Sequence, residues 1–111
     1  MTGLVRQRDS VYRNRKLLDL SHWMPCQATF AHTCNQGDGC HPAHANWLVW
    51  GKGVGHKSPD WAFAAVCGNA HRELDGKINP TMDREQRQAE WLRAFIATQD
   101  MLWKKGLLKV T

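Results

Sequence analysis

Cys67-Gly-Asn-Ala-His71-Arg-Glu-Leu-Asp75 is the stretch on which the fold turns, and Cys40-His-Pro-Ala-His44 is its counterpart upstream. Both set a thiol beside imidazole. Sulfur with imidazole suits a structural zinc ion. Imidazole and carboxylate four residues apart on a helix share one face, and such a pair suits a hydrolytic metal. Residues 69–74 carry a short helical pattern that Gly76 is placed to end. His71 and Asp75 are therefore expected one turn apart on that helix, with His44 as a further ligand or base and His41 and His56 as spares.

Working outward, Asp60-Trp-Ala-Phe-Ala-Ala-Val-Cys67 is a short apolar run. It reads as a buried strand or as the first turns of a helix, and periodicity does not decide between them. Residues 43–50 mix small and aromatic side chains, as a strand or an irregular extended piece would. Gly51 to Pro59 is a basic loop whose glycine spacing matches no phosphate-binding loop, although Lys52 and Lys57 give it reach toward phosphate. Asn35-Gln-Gly-Asp-Gly39 is a strong turn signal, and residues 26–34 before it read as a loop or short hairpin.

Leu17, Leu20 and Trp23 recur at a spacing of three, which predicts a short amphipathic helix over 14–23 that Pro25 brings to a stop. The clearest element is the last helix. Thr81 is its expected cap, Asp83 and Glu85 stand in its first turn, and Lys104 and Lys105 in its last, before Gly106. Ala89, Leu92, Phe95, Ile96, Gln99, Leu102 and Trp103 trace its expected apolar face. Leu107 to Val110 is expected as a closing strand. Residues 1–13, with Arg6, Arg8 and Arg13, read as a flexible basic arm, and 14–111 as one domain.

The 111 residues carry a formal net charge of +5 and a pI near 9.3. That favours an anionic partner, with nucleic acid first. No run of about 18 apolar residues exists, so no membrane span is expected, and residues 1–16 lack the apolar core of a signal peptide. An intracellular location follows as the expectation, and there four cysteines are thiols or metal ligands rather than disulfides. The six tryptophans are expected mostly as core mass in a small chain, with base stacking the rarer use. Cys26, Cys34, Cys40 and Cys67 contain no Cys-x-x-Cys pair. Spacing alone leaves open a zinc site or buried thiols without metal.

Taken together, Cys26-x7-Cys34, the Ala43-His44 pair, Gly55-His-Lys-Ser-Pro-Asp60 and Cys67-x3-His71-x3-Asp75 resemble a family of small phage and prophage proteins of the YbcO type, read as nucleases with an HNH-like core. The match runs from about Arg15 to the last residues. The resemblance implies an α+β fold: a small zinc-stapled ββα-metal (treble-clef-like) core with a long C-terminal helix. It implies His44 as general base, Asp60 near the residue that orients it, His71 and Asp75 as ligands of a catalytic metal, and Cys26, Cys34 and Cys67 as structural zinc ligands. Two positions depart from the pattern. Ala70 stands where the family has a second cysteine, so Cys40 is the candidate to supply the missing thiolate, with His41 or His71 as the alternative. Ala43 stands where such motifs often carry a metal ligand.

The expected function is a metal-dependent endonuclease that hydrolyses DNA, with structural Zn2+ and catalytic Mg2+ or Mn2+, acting in the cytoplasm of a bacterial host. In it His44 activates water, His71 and Asp75 hold the ion, and Arg72, Lys52 and Lys57 contact phosphates. A homodimer would suit double-strand cutting, though no residue argues for one. The alternative is a zinc-stabilised nucleic-acid- or protein-binding module that has lost the chemistry.

Overall fold

The computed structural model describes residues 14–44 and 60–107. The expected basic arm, His56, Lys52 and Lys57 of the basic loop, Trp47 and Trp50, and residues 108–110 of the expected closing strand lie outside the described residues.

The described chain is a small α+β unit. Helix α1 (Arg15–Leu20) continues through a 3-10 turn (Ser21–Trp23). An irregular segment follows, and a second 3-10 turn (Gln36–Asp38) leads into strand β1 (Cys40–His44). Strand β2 (Phe63–Cys67) pairs with β1 antiparallel, from Cys40 opposite Cys67 to His44 opposite Phe63. Helix α2 (Gly68–Asp75) starts on the residue after β2, and helix α3 (Arg84–Lys104) closes the order.

The apolar run ending at Cys67 is thus a strand, and all five of its residues are buried. Its alternation divides the core. Ala64 and Val66 pack with Ala43, Ala70, Leu74, Trp91 and Ala94 under α2 and α3. Phe63 and Ala65 pack with Leu17, Met24 and Leu102 on the α1 side. In a two-stranded sheet the outer edge of β2 needs partners. The Ala65 amide donates to Thr98 Oγ1 at 2.9 Å, and the Ala65 carbonyl accepts from the Gln27 amide at 2.9 Å.

The turn from β2 into α2 is a helix cap made by sulfur. Cys67 has extended backbone, and its Sγ accepts from the Ala70 amide at 3.4 Å. Gly76, at φ +67, closes α2 in the left-handed conformation. The link to α3 is tied back by Glu73, whose carboxylate accepts from the Thr81 and Met82 amides at 2.8 to 3.0 Å.

The Thr81 hydroxyl also donates to Glu73, at 3.1 Å, and is turned away from α3, whose cap falls two residues later than expected. Asp83 caps the helix, with Gln86 returning the bond in a capping box. The buried face also differs from the expected one. Trp91, Ala94, Thr98 and Leu102 are buried, whereas Leu92, Ile96 and Trp103 are exposed. The phase is set by polar satisfaction: Trp91 Nε1 reaches the Ala43 carbonyl at 2.8 Å, and Thr98 bridges Ala65 to the Ala94 carbonyl. Likewise Leu17 is buried, but Trp23, expected on the same face, is 82% exposed.

Candidate metal centre and two histidine–carboxylate pairs

Cys26, His32, Cys34 and Cys67 bring one ligand atom each to a common point, all within 4.8 Å of one another. Three sulfurs and one imidazole nitrogen form a donor set characteristic of structural zinc. A tetrahedron of such ligands has edges of about 3.5 to 4 Å at ordinary zinc bond lengths. The Cys26 Sγ to His32 Nε2 separation of 3.8 Å falls among them. The residues present therefore fit a metal such as zinc.

Local structure prepares each ligand. His32 Nδ1 lies 2.7 Å from the Phe30 carbonyl, which only accepts. Nδ1 therefore carries the proton, and Nε2 presents its lone pair to the cluster, the usual outer support of a metal-bound histidine. The Cys67 amide donates to Cys26 Sγ at 3.3 Å. The Gln36 side chain accepts from the Cys26 amide at 2.8 Å, and Asn35 Oδ1 accepts from the Asn69 amide at 3.1 Å. The loop that carries three ligands is thereby fastened to the start of α2.

Burial pushes the Cys67 thiol up, but donors to its sulfur outweigh it: the Ala70 and Asn35 amides, then the Cys26 and Cys34 thiols. The outcome is a thiol lowered to about 7, half-way to the thiolate a metal needs near neutral pH. Cys40 goes the other way. It is 2% exposed, and burial first, then the nearby Cys26, Cys67 and Cys34, push it up to about 12. It stays a protonated core thiol beside the cluster and is not among the four.

This corrects the expected ligand set: His32 stands where Cys40 was placed. Neither His41 nor His71 is in the set. The signal in the sequence was Cys26-x5-His32-x-Cys34, in which a histidine two residues from a cysteine can turn back to it. Ala70, where the resemblance would call for a further cysteine, is fully buried in the core with Ala43 and Leu74.

The remaining candidate residues form two pairs. His71 Nε2 lies 3.5 Å from Asp75 Oδ2 across one turn of α2. Burial lowers the His71 pKa; Asp75 opposes the shift, and His41 and Lys77 add to it. The imidazole is thus neutral at pH 7. The His41 ring stands edge-on to that of His71, with centroids 5.7 Å apart. At the far end of β1, His44 Nε2 lies 3.6 Å from Asp60 Oδ1. Asp60 is 8% exposed, and its other oxygen accepts from the Asn14 amide at 2.6 Å. The carboxylate is therefore fixed from the α1 side.

The ladder places these pairs differently. His41 opposes Val66, of the α2 side, and His44 opposes Phe63, of the α1 side. Opposed residues share a face, so His41 and His44 look to opposite faces of the hairpin. It is His41 that meets His71. His41, His71 and Asp75 are not drawn into one mutually close set; among the described residues only the thiol cluster is. Arg72, expected on phosphate, is exposed on α2.

Among the described residues no helix is long and apolar enough to cross a membrane. In comparisons with known proteins, no family model, no curated protein and no solved structure matches this chain.

Proposed function

We propose that this protein is a metal-dependent endonuclease of the YbcO type, with an HNH-like core, that hydrolyses DNA phosphodiester bonds. The observation that carries the reading is the order β1, β2, α2 with a thiol–imidazole metal cluster at its root; the two histidine–carboxylate pairs look to opposite faces of the hairpin, so the reading requires the scissile phosphate to be reached from both. Asp60 is positioned to hold the His44 ring and to stabilise its protonated form as it takes a proton from water. His71 and Asp75 offer the nitrogen and oxygen donors for one Mg2+ or Mn2+ ion. Such an ion, when bound, neutralises charge on the scissile phosphate. Exposed Arg72 and the lysines of the basic loop supply phosphate contacts. The thiol cluster has no open role in this chemistry and serves to staple the hairpin to the helix. The setting is a bacterial cytoplasm, as for the resembled phage and prophage proteins.

The test is cleavage of plasmid and oligonucleotide DNA by the zinc-loaded protein with Mg2+ or Mn2+, alongside His44→Ala. Loss of cleavage with retained DNA binding supports the reading. Equal cleavage by both proteins, or none with either ion, overturns it.

One observation favours a binding module without chemistry. Ala43, at the position of a frequent ligand in such motifs, is 1% exposed and packed in the core, and its carbonyl is held by Trp91 Nε1. On that reading the protein binds DNA and His44→Ala changes nothing.

A further inference from the structure

Cys40 lies against the metal cluster without being one of its ligands. Its thiol is free and 2% exposed, and it stands opposite Cys67 at the end of the ladder. The outer edge of β2 decides which kind of pair this is. The Ala65 amide and carbonyl both point away from β1, to Thr98 and to Gln27, and the Cys67 amide points the same way, to Cys26 Sγ. In an antiparallel ladder, opposed residues alternate between those that exchange backbone hydrogen bonds and those that do not. Cys67, two residues after Ala65 and with its amide turned outward, is of the second kind. That kind is the closer one: Cα atoms stand about 4.5 Å apart, with the side chains on one face. A disulfide spans Cα separations of about 4.4 to 6.8 Å.

The cluster provides an entrance to this buried pair. Cys34 is exposed, Cys67 is fully buried, and both belong to the set whose ligand atoms lie within 4.8 Å of one another. Cys26 also borders the Cys40 thiol, but it is Cys67 whose backbone the ladder sets at disulfide distance. The Cys67 sulfur can therefore serve as a metal ligand or as half of a cross-strand bridge, and not as both.

We propose that Cys40 is a resolving thiol: when a peroxide oxidises the cluster, Cys40 closes a disulfide with Cys67 and the metal is released. Hydrogen peroxide meets the exposed Cys34 sulfur. An S–O bond forms, the O–O bond breaks, and the hydroxide that leaves takes a proton from solvent. The Cys67 sulfur then attacks Cys34; an S–S bond forms and the S–O bond breaks, releasing a second hydroxide. Cys40 gives its proton to that hydroxide and attacks Cys67, and Cys34 departs as a thiolate. In sum, two cysteines are oxidised to a disulfide and one peroxide is reduced to two waters. Without Cys67 the cluster retains Cys26, His32 and Cys34 and no longer closes around a structural ion. The bridge joins two buried residues, whereas a link to Cys34 stays open to solvent. The inference rests on the cluster's holding a metal and not on the nuclease reading.

The experiment treats the full zinc-loaded chain with hydrogen peroxide and reads released zinc with a colorimetric chelator. Disulfides are mapped by peptide mass spectrometry after free thiols are alkylated. The wild type should release its zinc and yield a Cys40–Cys67 linked peptide. A thiol reductant with added zinc should then restore the bound metal. Cys40→Ala and Cys40→Ser, both expected to hold zinc before treatment, should stop at a Cys34–Cys67 link or run on to sulfinic acid, which thiols do not reverse. Cys40 found alkylated while zinc is lost, Cys40 linked to Cys26 instead, or all thiols intact with zinc retained would each overturn the proposal. A wild type that forms the link but cannot be loaded with zinc fails the metal centre; one that holds zinc and forms no link fails the disulfide alone.

Discussion

His32 Nε2 lies 3.8 Å from Cys26 Sγ while His32 Nδ1 is engaged by the Phe30 carbonyl at 2.7 Å. The second contact decides the first: it fixes the tautomer and turns a lone pair toward sulfur. We expect His32→Ala and Cys67→Ser each to lose the bound zinc of the purified protein. Cys40→Ala should keep it and cost about 1 kcal/mol of packing. Metal content by mass spectrometry is the check; zinc lost from Cys40→Ala and kept in His32→Ala would reverse the assignment.

The Asp60 carboxylate holds His44 on one oxygen and the start of α1 on the other. On the proposed mechanism Asp60→Asn keeps the shape but loses the charge that favours imidazolium. Cleavage should fall by about 100- to 10,000-fold with DNA affinity unchanged. An undiminished rate would remove Asp60 from the machinery.

Thr98 Oγ1 accepts from the Ala65 amide and donates to the Ala94 carbonyl, at 2.9 and 2.7 Å. Thr98→Val is nearly the same shape and leaves the buried strand amide without this acceptor. A loss of about 1–3 kcal/mol is expected in urea unfolding of the zinc-loaded protein. A neutral result would mean that the edge of β2 does not depend on α3.

Trp91 is 2% exposed, stacks on Phe95 at 5.0 Å, and donates to the Ala43 carbonyl. Trp91→Ala should cost about 3–5 kcal/mol, enough to unfold many domains of this size. Trp91→Phe should cost about 1–3 kcal/mol, by losing the donor more than the ring. Thermal unfolding of the two variants separates the contributions.

Slight burial pushes the Glu73 carboxyl up, but bonds from the Thr81 and Met82 amides and the Thr81 hydroxyl outweigh it and leave it below its ordinary 4.5. The folded state thus binds this proton less readily than the unfolded chain. Its stabilisation is complete above pH 4.5 and is lost as pH falls through the lower folded value. Glu73→Gln should therefore be less stable than the wild type at pH 6, by about 1 kcal/mol. The gap should narrow below pH 4.5, where the wild type loses the charge. Thermal unfolding of both proteins along that series is the measurement, and a gap constant with pH would sink the idea.

Local signals in the chain determined a good deal. The Gly76 stop, the apolar run to Cys67 and the three-four pattern after residue 84 sufficed for α2, for a buried element before it and for a long last helix, because caps and periodicity are local properties. Three of the four cluster members, Cys26, Cys34 and Cys67, were expected from the family resemblance; their spacing alone left a zinc site and metal-free buried thiols equally open. The fourth ligand was decided only in three dimensions. Cys40 and His32 are both near enough in sequence to serve. Pairing within the ladder buries Cys40 and keeps its proton, while a carbonyl two residues back orients His32. The buried face of α3 was likewise settled by partners outside the helix, since Leu92 and Trp91 are both large and largely apolar but only Trp91 carries an N–H, which meets the Ala43 carbonyl. Trp23 left the core for a similar reason: Leu17 and Met24 already fill the space under Phe63, and the turn at Ser21–Trp23 carries the indole past it. Where a choice depends on which distant group satisfies a buried donor or fills a gap, the linear pattern is degenerate, and packing removes the degeneracy.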